Sequence, residues 1–160
     1  ASRALGYTDV LGLASEGTRW AWAIAADAAL TVGDLERVQE LVDLLGRYPQ
    51  GHVPAILHAE EARIRAHLLA AAGNDASEAF ADATAQFRRL GSPYHLACCL
   101  LDEAEYLARQ SDQGAVGRAE VAATLAGRLG VAPLTRRAET LTAGVTRNTP
   151  APTTTPAMTT

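Results

Sequence analysis

Apolar residues recur along this chain at the spacing of amphipathic helices, with Gly or Pro between the runs. In the stretch 74–107 the first apolar run falls on one helical face, at Ala79, Phe80, Ala83, Phe87 and Leu90. Gly91 is expected to end that helix because glycine tolerates a left-handed C-terminal cap. Ser92 and Pro93 are typical of the start of the next helix. Its apolar stripe is Ala97, Leu100, Leu101, Ala104, Leu107 and Ala108.

The same alternation predicts further helices on both sides of this helix-turn-helix unit. They are predicted over 18–32, 35–45, 55–72, 115–129 and 133–143. Gly33 and Asp34 are expected to end one helix and cap the next. Asp75 and Glu78 form a variant of the capping box at the start of the unit.

Short motifs repeat at nearly constant spacing. The sequence Arg-Leu-Gly at 89–91 recurs at 128–130, and Gly33-Asp34 is matched by Gly73-Asn74, a period near 40. Two helices per period predict an all-α fold, an α-solenoid of tetratricopeptide-like helical hairpins with six to seven helices. A plain helical bundle is the alternative.

The ends of the chain differ from its middle. Residues 1–17 are interpreted as the remnant of a preceding repeat, and residues 18–144 as the tetratricopeptide-like domain. The Thr- and Pro-rich residues 145–160 are predicted to be a disordered tail, with a proline-rich partner ligand as the alternative. The first residue is Ala, which indicates a fragment or a processed chain. An unpaired first hairpin would expose apolar surface and favour self-association.

Composition and charge narrow the classes of function. The net charge is -4, which argues against a nucleic-acid partner. All 14 basic residues are Arg, so chemistry that needs a lysine is excluded within the chain, although a GC-rich genome explains this usage equally well. The apolar run 20–32 is too short to span a membrane and contains Asp27. The adjacent Cys98 and Cys99 form no disulfide framework, so a cytoplasmic location is predicted.

One face of the second helix of the unit carries polar residues. They are His95, Cys99, Asp102, Tyr106 and Arg109, spaced four, three, four and three apart on the side expected to lie opposite the apolar stripe. Shifts of about 39 positions align this face with earlier helices. The predicted partner-binding groove is Trp20, Asp27, Glu60, Arg63, His67, Asp102, Tyr106 and Arg109. Such a groove suits a peptide, a partner helix or a small polar ligand.

The alternative for these residues is an ordinary solvated face. Intrahelical ion pairs of the type Glu61–Arg65 and Glu105–Arg109 would then account for the charges. Asp27 would pair with Arg19 or Arg63, or face water.

Other groups of residues are expected to have a structural role and not a chemical one. His95, Cys99 and Asp102 have helical spacing that suits metal ligands, but a fourth ligand is not evident. No metal, no cofactor and no catalytic residue is therefore predicted. Trp20 and Trp22 face different sides of their helix, so one is expected in the core and the other in the groove or against a preceding repeat, with core packing as the default for both. Phe80 and Phe87 are both expected in the core.

Four segments resemble a known family more closely than a generic repeat does. They are TRWAWA at 18–23, GHVP at 51–54, RLGSPYHLA at 89–97 and LDEAEYL at 101–107. Over about residues 5–143 the chain resembles the C-terminal helical repeats of large actinobacterial regulators. Those proteins typically join a class III adenylate/guanylate cyclase homology domain, an AAA-like ATPase module and a tetratricopeptide-like tail. The period near 40 departs from the usual 34 residues.

The resemblance implies a role in signal transduction without catalysis. The glycine-rich phosphate loop and the aspartates and lysine of cyclase chemistry have no match here, so no catalytic residue is carried over. The expected function is a protein-interaction or sensor region whose partners are another protein or neighbouring domains of the same polypeptide. The alternatives are a small-molecule effector-binding domain and an enzyme. A closed aromatic pocket near Trp20 and Tyr106 would favour an effector, and an open groove would favour a protein.

Overall fold

The computed structural model describes residues 15–49 and 51–148, and within this part every regular element is a helix. The fold is therefore all-α, as the hydrophobic pattern predicts. The seven helices are α1 Glu16–Val32, α2 Leu35–Gly46, α3 Ala55–Ala71, α4 Ser77–Arg89, α5 Pro93–Arg109, α6 Gly114–Leu129 and α7 Ala132–Asn148.

The helices form hairpins that are stacked in the order of the sequence. Helices α1, α3, α5 and α7 begin 39, 38 and 39 positions apart, which agrees with the predicted period. Each helix packs on the next one, and α1 also packs on α3 and α5 on α7. This pattern of neighbour contacts is typical of repeat stacks. We call α1, α3, α5 and α7 the inner helices and α2, α4 and α6 the outer helices.

The helix ends follow most of the predicted signals. Gly33 has a φ of 73°, and the Asp34 carboxylate accepts a hydrogen bond from the Arg37 backbone N–H at the start of α2. The capping box predicted at Asp75 is wrong, because α4 begins two residues later, at Ser77. Asp75 instead accepts the Ser77 backbone N–H. At the start of α5, the Ser92 hydroxyl bonds the His95 ring and caps no backbone group.

Apolar side chains fill the space between successive hairpins. Trp22 is fully buried, and its indole N–H donates to the Leu41 carbonyl at 2.8 Å. Trp20 is half exposed, so core packing, the default expectation for both tryptophans, holds for Trp22 and is wrong for Trp20. Phe80 and Phe87 are both fully buried, as expected, but each belongs to a different small cluster between α3, α4 and α5.

The last helix is longer than predicted. It was expected over 133–143 with a disordered tail from residue 145, yet α7 continues to Asn148. Thr142 and Thr146 satisfy their hydroxyls on carbonyls one turn back, and Arg147 does the same with its guanidinium, so polar residues extend this helix. The remainder of the predicted tail, 149–160, and residues 1–14 of the predicted preceding repeat lie outside the described residues.

None of the seven helices combines the length and the apolar character that a membrane span requires.

Candidate functional site

The inner helices are joined by one chain of charged side chains, which we call the inner ladder. It consists of Asp27 on α1, Arg63 on α3, Asp102 on α5 and Arg137 on α7. Arg63 donates from Nη2 to Asp27 Oδ1 at 2.5 Å and from Nη1 to Asp102 Oδ2 at 2.7 Å. Arg137 Nη2 donates to Asp102 Oδ1 at 2.7 Å. Charges of alternating sign thus connect all four inner helices.

Arg63 is the most heavily coordinated residue of the ladder. Its side chain is only 7% exposed, and its Nε donates to Glu60 Oε2 at 2.9 Å in addition to the two ladder bonds. Burial alone would lower the pKa of Arg63. The carboxylates of Asp102, Glu60 and Asp27 outweigh burial and raise the pKa well above its usual value. Arg63 is a permanent cation held by three anions.

Asp102 is the matching buried anion. It accepts hydrogen bonds from Arg63, from Arg137 and from His67 Nε2 at 2.9 Å. Burial raises the pKa of a carboxyl group, but here the His67 hydrogen bond and the charges of Arg63 and Arg137 prevail. They hold the pKa of Asp102 well below its usual range. Asp102 therefore stays ionised, and it is not a group that exchanges protons near neutral pH.

Of the two predicted intrahelical ion pairs, one forms and the other does not. Arg65 donates to Glu61 at 2.8 Å, as the spacing predicts. Glu105, however, accepts from Arg137 Nε at 2.6 Å rather than pairing with Arg109. Arg109 is exposed and has no ion pair or hydrogen-bonded side chain within residues 15–49 and 51–148. Among the described residues, nothing occupies its guanidinium.

Tyr106 joins two helices instead of presenting its hydroxyl to a ligand. It is buried, its hydroxyl donates to Asp75 Oδ1 at 3.0 Å, and the same oxygen accepts the Ala76 backbone N–H at 3.0 Å. The Ser77 backbone N–H, followed by Tyr106, lowers the pKa of Asp75. The Tyr106 ring also lines a groove on the inner helices, but its hydroxyl makes hydrogen bonds that support the fold.

A groove of about 790 Å³ runs along the inner helices over the ladder. Six of the eight predicted groove residues line it, namely Asp27, Arg63, His67, Asp102, Tyr106 and Arg109. The other two, Trp20 and Glu60, line a separate pocket of about 270 Å³ together with His95. The single groove predicted from the repeat is thus two cavities, connected by the Glu60–Arg63 hydrogen bond.

The expectation that the polar face of α5 lies opposite the apolar stripe is wrong. Cys99, Asp102 and Tyr106 are all buried, because inner helices are covered on both sides by their neighbours. The alternative of a solvated face with pairs inside single helices is wrong for the same reason. All four inner ladder residues bond across helices, and the two central ones, Arg63 and Asp102, are buried.

The residues considered as metal ligands do not converge. Cys99 lies 3.5 Å from the Thr84 hydroxyl, and the Asp102 oxygens are taken by Arg63, His67 and Arg137. In the part of the chain that the structure describes, no group of three or more His, Cys, Asp or Glu side chains is placed to hold a metal ion.

The two thiols are poor nucleophiles. Burial raises the pKa of Cys98 to about 11 and that of Cys99 to about 12. Because the thiolate is the reactive form, both groups are almost wholly unreactive near neutral pH. The groove can therefore offer a ligand hydrogen bonds and charge. These come from Arg109 and Asp27, and from the exposed parts of the Glu105 and Arg137 side chains.

Sequence reasoning missed Arg137, the pairing of Glu105 with it, and the buried carboxylate of Glu103. Glu103 points between the outer helices, where Thr84 and Arg118 donate to it at 3.3 and 2.8 Å. Two features of the sequence could have indicated these residues. They are an Arg on the last inner helix and three acidic residues within one turn of α5.

Comparison with protein-family models, with curated proteins and with solved structures yields no match for this chain.

Proposed function

We propose that this chain is a non-catalytic interaction region in which the groove over the inner ladder binds a segment of a protein, from a partner or from a neighbouring domain. The observation that carries the proposal is the groove itself, built from four consecutive inner helices and edged by charged groups with spare bonding capacity. Repeat stacks use such surfaces to hold extended segments.

The shape of the surface favours a protein over a small effector. Trp20 and Tyr106 line different cavities, so they do not form a shared aromatic pocket. Asp27 is more than half exposed, Arg109 is exposed, and the Arg137 side chain is 36% exposed. An open, wet and charged groove suits a polypeptide, which can bridge such groups along its length.

The wider setting is also part of the proposal. The resemblance in sequence supports a cytoplasmic, multidomain signalling regulator of the actinobacterial cyclase and ATPase type, in which this region transmits or receives an interaction. The locked state of Asp102 and the protonated thiols support a role without catalysis, because neither supplies an acid, a base or a nucleophile near pH 7.

Site-specific photocrosslinking in the source cell tests the proposal. A crosslinking amino acid replaces Thr31 or Arg109 at the groove, or Val121 or Glu36 on the outer helices, all of which are exposed. We expect one and the same protein band, or one intramolecular product, from both groove positions and from neither outer position. Equal products from inner and outer positions, or none at all, would overturn the proposal.

A matched pair of charge reversals then tests the purified partner. Arg109→Glu changes the groove, and Arg128→Glu makes the same change on an outer helix. Neither breaks an ion pair among the described residues. Arg109→Glu is expected to change the Kd at least fivefold, and Arg128→Glu less than twofold. A reversed order would place the interaction on the outer helices.

A further inference from the structure

Glu60 gives one carboxylate oxygen to the ladder and keeps the other out of it. The residue is only 5% exposed, and its Oε2 accepts from Arg63. Its Oε1 has no hydrogen-bond donor among the described residues and lies 3.9 Å from His95 Nε2, beyond hydrogen-bonding range. Because Glu60 pairs with Arg63 through Oε2 alone, Oε1 is the carboxylate oxygen that can still accept a hydrogen bond.

The unused oxygen belongs to a side chain that lines the smaller pocket. This pocket of about 270 Å³ lies between the start of α1, the start of α3 and the start of α5. Its polar lining includes a second carboxylate, Glu16, and one cation, Arg19, while Trp20, Ala23, Ile56 and Leu57 supply apolar surface. Trp20 is 50% exposed although Trp22, on the same helix, is fully buried.

The aromatic wall of the pocket is held rigidly. The His95 ring stacks on the buried Phe87 ring at 5.7 Å with an angle of 15°, and it also contacts the rings of Tyr94 at 5.3 Å and Trp20 at 6.1 Å. The Ser92 hydroxyl hydrogen-bonds His95 Nδ1 at 2.6 Å and fixes the orientation of the ring. A preformed wall reduces the entropy that a ligand loses on binding.

An aromatic face beside a carboxylate that has one oxygen without a hydrogen bond attracts cations. Indole is the strongest of the side-chain rings in this respect, and a guanidinium group can stack on it while it donates to a carboxylate. We propose that this pocket is the anchor for an arginine or lysine side chain of the polypeptide that the groove binds. This inference rests on the proposed function and adds the chemical identity of one contact.

The size and position of the pocket select a side chain over a free metabolite. Small-molecule sites usually enclose about 300–1,000 Å³, so this pocket lies just below that range and fits the end of one long side chain. It also adjoins the groove through the Glu60–Arg63 hydrogen bond. A polypeptide lying in the groove can therefore place a basic residue here.

Arg19 provides a test of whether the pocket binds a positively charged side chain. It lines the same pocket, and its side chain has no ion pair or hydrogen bond within the part of the chain that the structure describes. A cation at this position opposes the entry of a second one. Its removal should therefore strengthen binding, whereas a residue with only a structural role would weaken binding or leave it unchanged.

The test uses the full chain and follows the Trp20 indole N–H by NMR. The probe is the peptide acetyl-Gly-Gly-Arg-Gly-Gly-amide, and the control replaces its Arg with citrulline, which has nearly the same shape and no charge. We expect saturable shifts at Trp20 and His95 with the Arg peptide, and at least tenfold weaker binding of the citrulline peptide. Equal binding of the two peptides would overturn the proposal.

Four variants test the residues. Trp20→Leu and Glu60→Gln are each expected to weaken the Arg peptide at least fivefold, and Arg19→Gln to tighten it at least twofold. Ile24→Ala, on the same helix but outside the pocket lining, should change the Kd less than twofold. If Glu60→Gln disturbs the fold, Trp20→Leu and Arg19→Gln still test the proposal, because they are expected to change the Kd in opposite directions. An unchanged Kd in both would overturn the assignment.

Methylguanidinium distinguishes a side chain from a free cation. We expect it to bind at least tenfold more weakly than the Arg peptide, and equal affinity would overturn the choice of a polypeptide. The photocrosslinking result is independent of this series. A specific crosslink at the groove with no preference for the Arg peptide would overturn the anchor alone, whereas a cation-selective pocket without a crosslink would count against the proposed function.

Discussion

The two cavities on the inner helices treat charge in opposite ways. Over the ladder, Arg63 and Asp102 are buried and each has three partners of opposite charge or a hydrogen-bonding histidine. In the smaller pocket, Glu60 leaves one oxygen unbonded and Trp20 is half exposed. Both cavities use α1, α3 and α5, and the groove over the ladder also reaches Arg137 on α7.

The difference separates groups that hold the stack together from groups available to bind. A buried charge is tolerated only when its bonds are complete, and complete bonds leave nothing for a ligand. A buried polar atom without a hydrogen bond destabilises the folded chain unless another molecule bonds to it. Substitutions in the ladder should therefore act mainly on stability, while substitutions of Trp20 and Arg19 in the pocket should act mainly on binding.

The largest effect is expected from Asp102→Asn. The amide has the same shape but leaves Arg63 and Arg137 without their shared anion. Breaking a buried ion pair from one side costs about 3–5 kcal/mol. We expect a loss of this size in the free energy of unfolding, measured by urea denaturation.

Glu36→Gln is the matched control, because Glu36 is exposed and on an outer helix. Its expected change is within about 0.5 kcal/mol. If Asp102→Asn were no more damaging than this control, the ladder would not be what joins the inner helices.

Acid should weaken the same network. The folded-state pKa of Asp102 lies below its unfolded-state value of about 3.9, so its contribution is complete above that pH and disappears as the pH falls. One proton taken up on unfolding corresponds to about 1.4 kcal/mol per pH unit. Between about pH 4 and pH 2 the wild type should lose stability more steeply than Asp102→Asn by this slope. Parallel profiles would show that Asp102 is not the responsible group.

The next effect concerns the bond between α5 and the start of α4. Tyr106→Phe removes the hydroxyl and leaves the Ala76 backbone N–H buried without an acceptor, at a cost of about 1–3 kcal/mol. Hydrogen exchange at Ala76 should also accelerate. Tyr94→Phe, at an exposed position on the same helix, is the control and should leave both quantities unchanged. Unaltered exchange at Ala76 would contradict the role assigned to Tyr106.

The helical fold was predictable because its signals are local. Gly33 with Asp34, Gly91 before Pro93, and Gly130 all lie at or next to the observed helix ends, and the period near 40 follows from them. The alignment of Arg63 with Asp102, 39 positions apart, was also visible in the sequence. These two residues are hydrogen-bonded because consecutive inner helices start at nearly that interval.

The partners of the charged residues were not predictable in the same way. Glu105 lies one turn from Arg109 but bonds Arg137 on the next inner helix, 32 positions away. The choice depends on the distance between α5 and α7, which the sequence pattern of one helix does not contain. Likewise, the burial of Cys99 and Tyr106 follows from coverage by neighbouring hairpins, so their polar character misled the assignment of an outward face.

The smallest change in stability is expected from Trp20→Ala, and it separates the two cavities most directly. Half of the Trp20 side chain is already in water, and its neighbours in the pocket are otherwise packed on Phe87 and Arg63. We expect the free energy of unfolding to fall by about 1–2 kcal/mol, because only the buried half of the side chain loses its contacts. Trp22→Ala, two positions on, should cost about 3–5 kcal/mol because it empties a fully buried site. Similar losses for both tryptophans would mean that the small pocket supports the fold as the ladder does, and the distinction between a stabilising and a binding end would fail.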